Sequence, residues 1–208
     1  MTVDRRRFLL GAAQAGALMT LPAAAGAAEG ASPPVADNGL FTQPWFMQTF
    51  LDLREDHSNL TGSGKSYAVL FEQRGCPYCR EMHRVNFARK EITDYITANY
   101  GILQLDMWGS HKVKDFDGKE MEERALARRW RVSFTPTMVF FPRDVEAVAG
   151  KSGFDAEIFR MPGYFKPFHF ISMLEYVHEG QYAKLDFQRY LQARFADLRA
   201  KGIEPDVW

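Results

Sequence analysis

Short apolar runs bounded by turn-forming residues alternate with amphipathic stretches along most of the 208-residue chain. Apolar runs of about four to eight residues are typical of buried strands, and apolar residues recurring every three or four positions are typical of helices. The pattern predicts strands at residues 67–71, 102–107, 137–141 and 157–161. It predicts helices at residues 76–87, 89–99, 120–130, 167–178 and 185–201. This order implies an α/β fold in which helices cover both faces of a central mixed sheet of four to five strands.

A further helix is predicted upstream of the first strand. Pro44 suits the first turn of a helix, where the missing N–H would have no partner in any case. Phe46, Phe50 and Leu53 follow at helical spacing and would form one apolar stripe. The stretch 28–40 is rich in Ala, Gly, Ser and Pro, and this composition predicts a flexible lead-in to the helix.

The first 27 residues have the composition of an export signal. Arginines at positions 5–7 precede a short apolar run and a small-residue stretch with an A-x-A-like box at residues 25–27. The pattern resembles a twin-arginine signal, and an ordinary secretory signal or an uncleaved anchor is the alternative. We expect export to the periplasm. The predicted division is an export signal at 1–27, a lead-in with the N-terminal helix at 28–64, and a main domain with a C-terminal helix at 65–208.

Composition narrows the classes of function. Lys and Arg together number 26, as do Asp and Glu, so no net charge attracts the chain to nucleic acid or to an anionic membrane. A hydrophobic fraction of 46% is sufficient for a folded core. Two cysteines are too few for a disulfide-rich mini-protein or for a zinc or iron–sulfur site with four thiolates. We predict no cofactor and no nucleic-acid partner, and we expect a monomer.

The two cysteines stand in Cys76-Pro77-Tyr78-Cys79, after a predicted strand and at the start of a predicted helix. Amides at a helix N-terminus lack internal partners and carry partial positive charge, so a thiolate at Cys76 is stabilised there. We expect the pKa of Cys76 to lie below the value of about 8.5 for free cysteine, which makes it the attacking thiol. Cys79, one turn later, is placed to displace whatever Cys76 has captured. The motif therefore predicts dithiol–disulfide exchange.

Other interpretations of this cysteine spacing are weaker. A c-type haem site requires a histidine after the second cysteine, and that position is Arg80. A structural zinc site requires two further ligands, for which His83 and His111 are the candidates. A purely structural disulfide between residues so close in sequence closes a very small loop and contributes little stability.

The order strand, C-x-x-C, helix, and later a strand entered through Thr135-Pro136 resembles the thioredoxin fold. The resemblance implies that the Thr135–Pro136 bond is cis and lies against the cysteine pair, and a trans proline at the start of a strand is the alternative. It also implies that the Thr135 backbone faces outward beside Cys76, where an extended partner segment can pair with it. Gly163 matches the family's glycine after the last strand. The resemblance thus assigns the catalytic site to Cys76, Cys79, Thr135 and Pro136.

Three longer stretches, at residues 71–83, 105–108 and 160–169, resemble those of SoxW-type periplasmic thioredoxins. The similarity covers roughly residues 41–200. It implies a reductase of periplasmic protein disulfides that works in a bacterial thiosulfate-oxidation system. As partners it implies disulfide-containing client proteins, among them the sulfur-oxidation proteins, and a membrane electron donor of the CcdA/SoxV type.

The chain departs from cytoplasmic thioredoxin in three places. Pro-Tyr replaces Gly-Pro between the cysteines, and Thr135 replaces the isoleucine before the proline. Leu70 stands where the family has a buried acid, and Glu72, with the same strand parity, either relays a proton for Cys79 or is an exposed charge at the strand end. These departures leave the reduction potential, and hence the direction of electron flow, open. The alternatives to a reductase are a periplasmic oxidant or isomerase and a non-catalytic binding module of the same fold.

Overall fold

The computed structural model describes residues 32–205, and the predicted export signal lies outside this range. The strands are β1 (Ser66–Glu72), β2 (Tyr100–Asp106), β3 (Lys112–Lys114), β4 (Glu120–Glu122), β5 (Thr137–Phe140) and β6 (Phe159–Pro162). The helices are α1 (Leu53–Thr61), α2 (Pro77–Glu81), α3 (Lys90–Asn99), α4 (Glu123–Arg129), α5 (Val145–Val148), α6 (Gly153–Ala156), α7 (Pro167–His178) and α8 (Phe187–Ala200). A π-helical turn, Met82–Asn86, continues α2, and a 3₁₀ turn, Gln181–Ala183, precedes α8. Within residues 32–205, no helix is both long and apolar enough to cross a membrane.

Four strands form the central sheet in the order β2-β1-β5-β6. β1 and β2 are parallel, whereas β5 is antiparallel to β1 and β6 is antiparallel to β5. The mixed sheet of the predicted α/β fold is therefore confirmed, with four strands. Every residue of β1 is buried, and its central run from Tyr67 to Phe71 is continuously apolar, as expected of a strand covered on both faces.

Two hydrophobic cores lie on opposite faces of this sheet. Along β1, Ala68 and Leu70 face one core, and Val69 and Phe71 face the other. This alternation follows from the period of two along a strand. Residues of α3 and α7 complete the first core, and residues of α1 and α4 complete the second. Helices thus cover both faces of the sheet, as predicted.

The N-terminal helix is shorter than predicted, and the prediction that it begins at Pro44 is wrong. α1 begins at Leu53, where the side chain of Asp52 accepts an amide hydrogen bond as the N-cap. Leu51 has a φ of 61°, outside the helical region. Phe50 is fully exposed, so the predicted apolar stripe does not exist as one helical face. Spacing alone suggested a helix that the backbone at Leu51 does not permit.

The segment before α1 runs along the edge strand β2 instead. The amide N–H of Met47 donates to the carbonyl oxygen of Ile102 at 2.9 Å, and an open sheet edge offers such unpaired groups. Leu40 and Phe46 are buried. The C-terminal part of the predicted lead-in therefore packs against the domain. The division of the chain at residues 27 and 64 stays a prediction.

A two-stranded sheet of β3 and β4 replaces the start of the helix predicted at 120–130. Its facing pairs join lysines to glutamates, Lys112 to Glu122 and Lys114 to Glu120. Opposite charges directly across two strands stabilise their pairing. The charged stretch that was predicted to be one helix therefore begins as strand β4, and α4 starts only after it.

The two C-terminal helices agree with the prediction within two residues at each end. α8 packs outside the main layers, against α7. The face predicted to be apolar, Phe187, Leu191, Phe195 and Leu198, is half-buried, and no residue of α8 is fully buried. This helix therefore covers α7, and its Phe187 and Tyr190 pack against the edge of the first core.

Candidate active site

The cysteine pair lies where β1 ends and α2 begins. Gly75 makes the turn at a φ of 71°, which glycine adopts without steric cost. Cys76 is the N-cap of α2 and Pro77 occupies the first turn, where a missing N–H costs nothing. Cys76 and Cys79 are joined in a disulfide. The predicted placement of the pair at a helix N-terminus is thus correct.

The immediate surroundings of Cys76 are closely packed. Its Sγ accepts a hydrogen bond from the amide N–H of Cys79 at 3.0 Å. Cys76 is 3% exposed and Cys79 is 0% exposed, so Cys76 is less accessible in the disulfide form than the sequence led us to expect. As predicted, Cys79 is less exposed than Cys76.

The loop that enters β5 covers Cys76. The Thr135–Pro136 bond is cis, which confirms the geometry implied by the resemblance. The Thr135 hydroxyl donates to Sγ of Cys76 at 3.3 Å, and the Thr135 carbonyl oxygen lies 3.5 Å from the same sulfur. Gly163, with a φ of 86°, donates its N–H to the Pro136 carbonyl at 2.8 Å. The bend after β6 therefore holds this loop against the disulfide.

Three large aromatic side chains near these loops are exposed to solvent. Tyr78 between the cysteines is 63% exposed, Phe134 before the cis bond is 53% exposed, and Trp108 after β2 is 60% exposed. The Trp108 indole N–H donates to the side chain of Gln73 at 2.6 Å, which ties the β2 loop to the loop before Cys76.

Glu72 at the end of β1 is fully buried. The alternative that it is an exposed charge at the strand end is therefore wrong. Its Oε2 accepts hydrogen bonds from Nε2 of His83 at 3.2 Å and from Nε2 of Gln104 at 2.5 Å. A carboxylate kept this far from water needs such donors to offset the loss of hydration.

His83 lies on the helical segment that follows Cys79, and its imidazole is hydrogen bonded to Glu72. It follows Cys79 by four positions, and the second candidate ligand, His111, instead lies 3.3 Å from Glu123. Across residues 32–205, no three His, Cys, Asp or Glu side chains are grouped to hold a metal ion. Sequence reasoning considered His83 only as a metal ligand. Its position at i+4 from Cys79 was the available signal for a different role, because such side chains share one helix face.

Comparison with known proteins agrees with this geometry. A family model described as a thioredoxin-like domain matches residues 53–178. No curated protein sequence matches the chain significantly. Similar solved structures include a thioredoxin-fold protein from Helicobacter pylori, at 22% identity over 64% of this chain and 86% of that chain, with a TM-score of 0.47.

Two further solved structures have comparable similarity. A thioredoxin from Thermus thermophilus is 23% identical over 61% of this chain and 83% of its own, with a TM-score of 0.46. The C-terminal domain of DsbD from Neisseria meningitidis, in the oxidised form, is 16% identical over 59% of this chain and 90% of its own, with a TM-score of 0.42. The family match spans more than half of the 208 residues. The chain therefore belongs to the thioredoxin-like family.

Proposed function

We propose that the protein is a thiol–disulfide oxidoreductase that reduces the disulfides of partner proteins. A thioredoxin-like domain with a C-x-x-C pair at the start of a helix indicates thiol–disulfide exchange. Our proposal concerns the direction of electron flow, which is from this protein to its partner. The observation that carries the proposal is the hydrogen bond from the Cys79 amide to Sγ of Cys76 at 3.0 Å. After reduction, the same N–H is placed to stabilise a thiolate, which is the species that attacks.

The reaction follows from this arrangement in two exchanges. The Cys76 thiolate attacks one sulfur of a partner disulfide, and the other partner sulfur leaves as a thiolate. Cys79 then loses its proton and attacks Sγ of Cys76. The Cys76–Cys79 bond forms as the mixed disulfide breaks, and the partner leaves with both sulfurs reduced. Two electrons pass to the partner, and the product is the oxidised state present in this structure.

Glu72 is the group to which we assign the proton of Cys79. It is fully buried and is hydrogen bonded to His83. Side chains four positions apart on a helix are neighbours, about 5–6 Å apart at their Cβ atoms. Cys79 and His83 lie on the same helical segment, and both Cys79 and Glu72 are fully buried beneath it.

Thr135 and Pro136 are assigned to partner binding. Thr135 contacts Sγ of Cys76 through both its hydroxyl and its carbonyl oxygen. An extended partner segment that pairs with the backbone here would carry its own cysteine to that sulfur. The exposed rings of Tyr78 and Phe134 add apolar surface for the neighbouring partner residues.

We assign the reaction to the periplasm and to a thiosulfate-oxidation system. The export-signal pattern at residues 1–27 and the three stretches similar to SoxW-type thioredoxins support this assignment. Because the periplasm is kept oxidising, a reductase there needs a continuous supply of electrons. A membrane donor of the CcdA/SoxV type would provide it, and sulfur-oxidation proteins would be the clients.

Trapping of partners tests the proposed exchange. A Cys79→Ser variant retains the attacking thiol and lacks the resolving one, so it should accumulate covalent complexes with periplasmic proteins. Non-reducing electrophoresis should show these complexes, and dithiothreitol should release them. Cys76→Ser is the matched control and should capture none. No capture by Cys79→Ser would instead favour a non-catalytic binding module.

The reduction potential of the Cys76–Cys79 couple tests the direction. A value near the about −270 mV of thioredoxin supports a reductase, whereas a value near about −120 mV would make the protein an oxidant. The Pro-Tyr dipeptide and Thr135 before the proline are the features that favour an oxidant or isomerase. Equilibration with glutathione buffers, read by thiol labelling, gives the potential.

A further inference from the structure

Residues upstream of the matched thioredoxin-like domain reach the redox helix. Nε2 of Gln43 lies 3.1 Å from Nδ1 of His83. The carbonyl oxygen of Phe41 accepts a hydrogen bond from Gln104 at 2.7 Å. The rings of Phe41 and Phe46 lie 5.7 and 5.8 Å from the imidazole of His83, between ring centroids. Residues 41–46 therefore form part of the surroundings of Glu72, although the family match begins at residue 53.

The hydrogen bonds of His83 determine which of its nitrogens carries the proton. With the Gln43 amide nitrogen turned towards the ring, as in this structure, Nδ1 is the acceptor and carries no proton. Nε2 must then carry the proton, which it donates to Oε2 of Glu72 at 3.2 Å. A proton added at Nδ1 would place two donors opposite each other. His83 is 2% exposed, so the Gln43 amide would have to turn and present its oxygen to accept that proton.

The two carboxylate oxygens of Glu72 differ in their hydrogen bonds. Oε2 accepts from both His83 and Gln104, whereas Oε1 is buried and has no hydrogen-bond partner in residues 32–205. An unpartnered buried carboxylate oxygen is costly and calls for an explanation. A proton that arrives at this oxygen lowers the cost, because it neutralises the carboxylate and the new O–H can donate to the group that supplied the proton.

We propose that Gln43 and His83 are positioning residues of the redox site. They hold Glu72 so that Oε1 receives the Cys79 proton, and Gln43 keeps that proton off the imidazole. In this step the Sγ–H bond of Cys79 breaks, an O–H bond forms at Oε1, and the electron pair stays on the sulfur as the attacking thiolate. The inference rests on the proposed function, because it concerns the resolving exchange.

Nuclear magnetic resonance of the wild-type protein tests the first part without any variant. The ¹⁵N resonances of the His83 ring distinguish a protonated from an unprotonated nitrogen. We expect Nε2 protonated and Nδ1 unprotonated in both the oxidised and the reduced form across neutral pH. A ring protonated at Nδ1 would overturn the proposal, whether or not the protein reduces disulfides.

Single-turnover kinetics test the second part. Reduced protein is mixed with a peptide disulfide that carries a fluorophore and a quencher, and capture by Cys76 is separated from resolution by Cys79. Proton transfer by a positioned group contributes about 10²- to 10⁴-fold. Gln43→Leu retains Glu72 and removes the contact that positions His83, so we expect resolution about tenfold slower and capture unchanged. The pH at which resolution reaches half its maximum should also shift.

A matched control and a second substitution complete the test. Gln48→Leu makes the same change on the same segment at an exposed position and should leave both phases unchanged. Gln43→Glu places an acceptor opposite Nδ1, so the His83 ring should become doubly protonated. Equal resolution rates in Gln43→Leu and Gln48→Leu, or a loss of capture with resolution, would overturn the inference. A wild-type protein that captures no peptide would instead overturn the proposed function.

Discussion

Asp56 of α1 makes the stability of the fold dependent on pH. Its side chain accepts a hydrogen bond from the Thr49 hydroxyl at 2.8 Å, and it is 8% exposed. Burial raises the pKa of Asp56 from 3.8 to about 6, against the lowering effect of the Thr49 hydrogen bond, and the nearby charges of Asp52 and Glu55 raise it further. The folded protein thus disfavours the charged form of this carboxyl group.

The sign and the size of the effect follow from this shift. Between pH 4 and 6 the folded state binds more protons than the unfolded state, so the free energy of unfolding falls as the pH rises through this range. A shift of two pKa units corresponds to about 3 kcal/mol in the free energy of unfolding. This stability is lost completely only when the pH rises above the pKa of the folded state. Asp56→Asn keeps an oxygen that can accept from Thr49 and removes the charge.

We therefore expect Asp56→Asn to match the wild type near pH 4 and to be more stable by about 3 kcal/mol near pH 7.5. Urea unfolding followed by circular dichroism at a series of pH values measures this difference. Glu120→Gln, at an exposed position of β4, is the control and should show no comparable trend. An Asp56→Asn effect that is the same at both pH values would refute the reasoning.

Two further predictions concern the buried network beside α4 and α6. Asp115 is fully buried and accepts hydrogen bonds from four groups, including the Trp130 indole, so Asp115→Ala should destabilise the fold by about 3–5 kcal/mol in urea unfolding. Asp117→Ala, which loses a more exposed ion pair, should cost clearly less, and equal losses would contradict this explanation. A Cβ at Gly153 would lie 2.0 Å from the Trp130 ring, so Gly153→Ala should lower the melting temperature strongly. Gly150→Ala adds only the strain of a positive φ, about 1–2 kcal/mol, and a loss as large as that of Gly153→Ala would argue against the steric cause.

The redox motif and the central sheet could be predicted because their signals are local. The apolar run of β1 and the turn at Gly75 together define where the helix of Cys76 begins. The strand bounds were predicted to within about two residues, and the apolar runs of β1 and β5, which are buried along their whole length, gave the clearest signal. The cis bond before Pro136 followed from the resemblance to thioredoxin, because nothing in the local residues distinguishes cis from trans.

The failures concern segments whose partner lies far away in the chain. Phe46 and Phe50 have helical spacing, yet the first is buried and the second exposed, since this segment follows the edge of β2. The β3–β4 pair places two lysines opposite two glutamates on neighbouring strands, and a helical surface carries the same pattern of charges equally well. Glu72 could not be assigned as buried or exposed, because this depends on Gln104 and on His83.

The amino-acid pattern alone was sufficient for the sheet, for the helix that Cys76 caps, and for the chemistry expected of two thiols there. These properties depend on neighbours within one or two turns of chain, so they are encoded locally. Only the folded chain brings Thr135 against Cys76 and Gln43 against His83, across separations of 59 and 40 residues. Contacts of this kind depend on how the elements pack, because the free energy that orders them comes from burial shared by the whole domain.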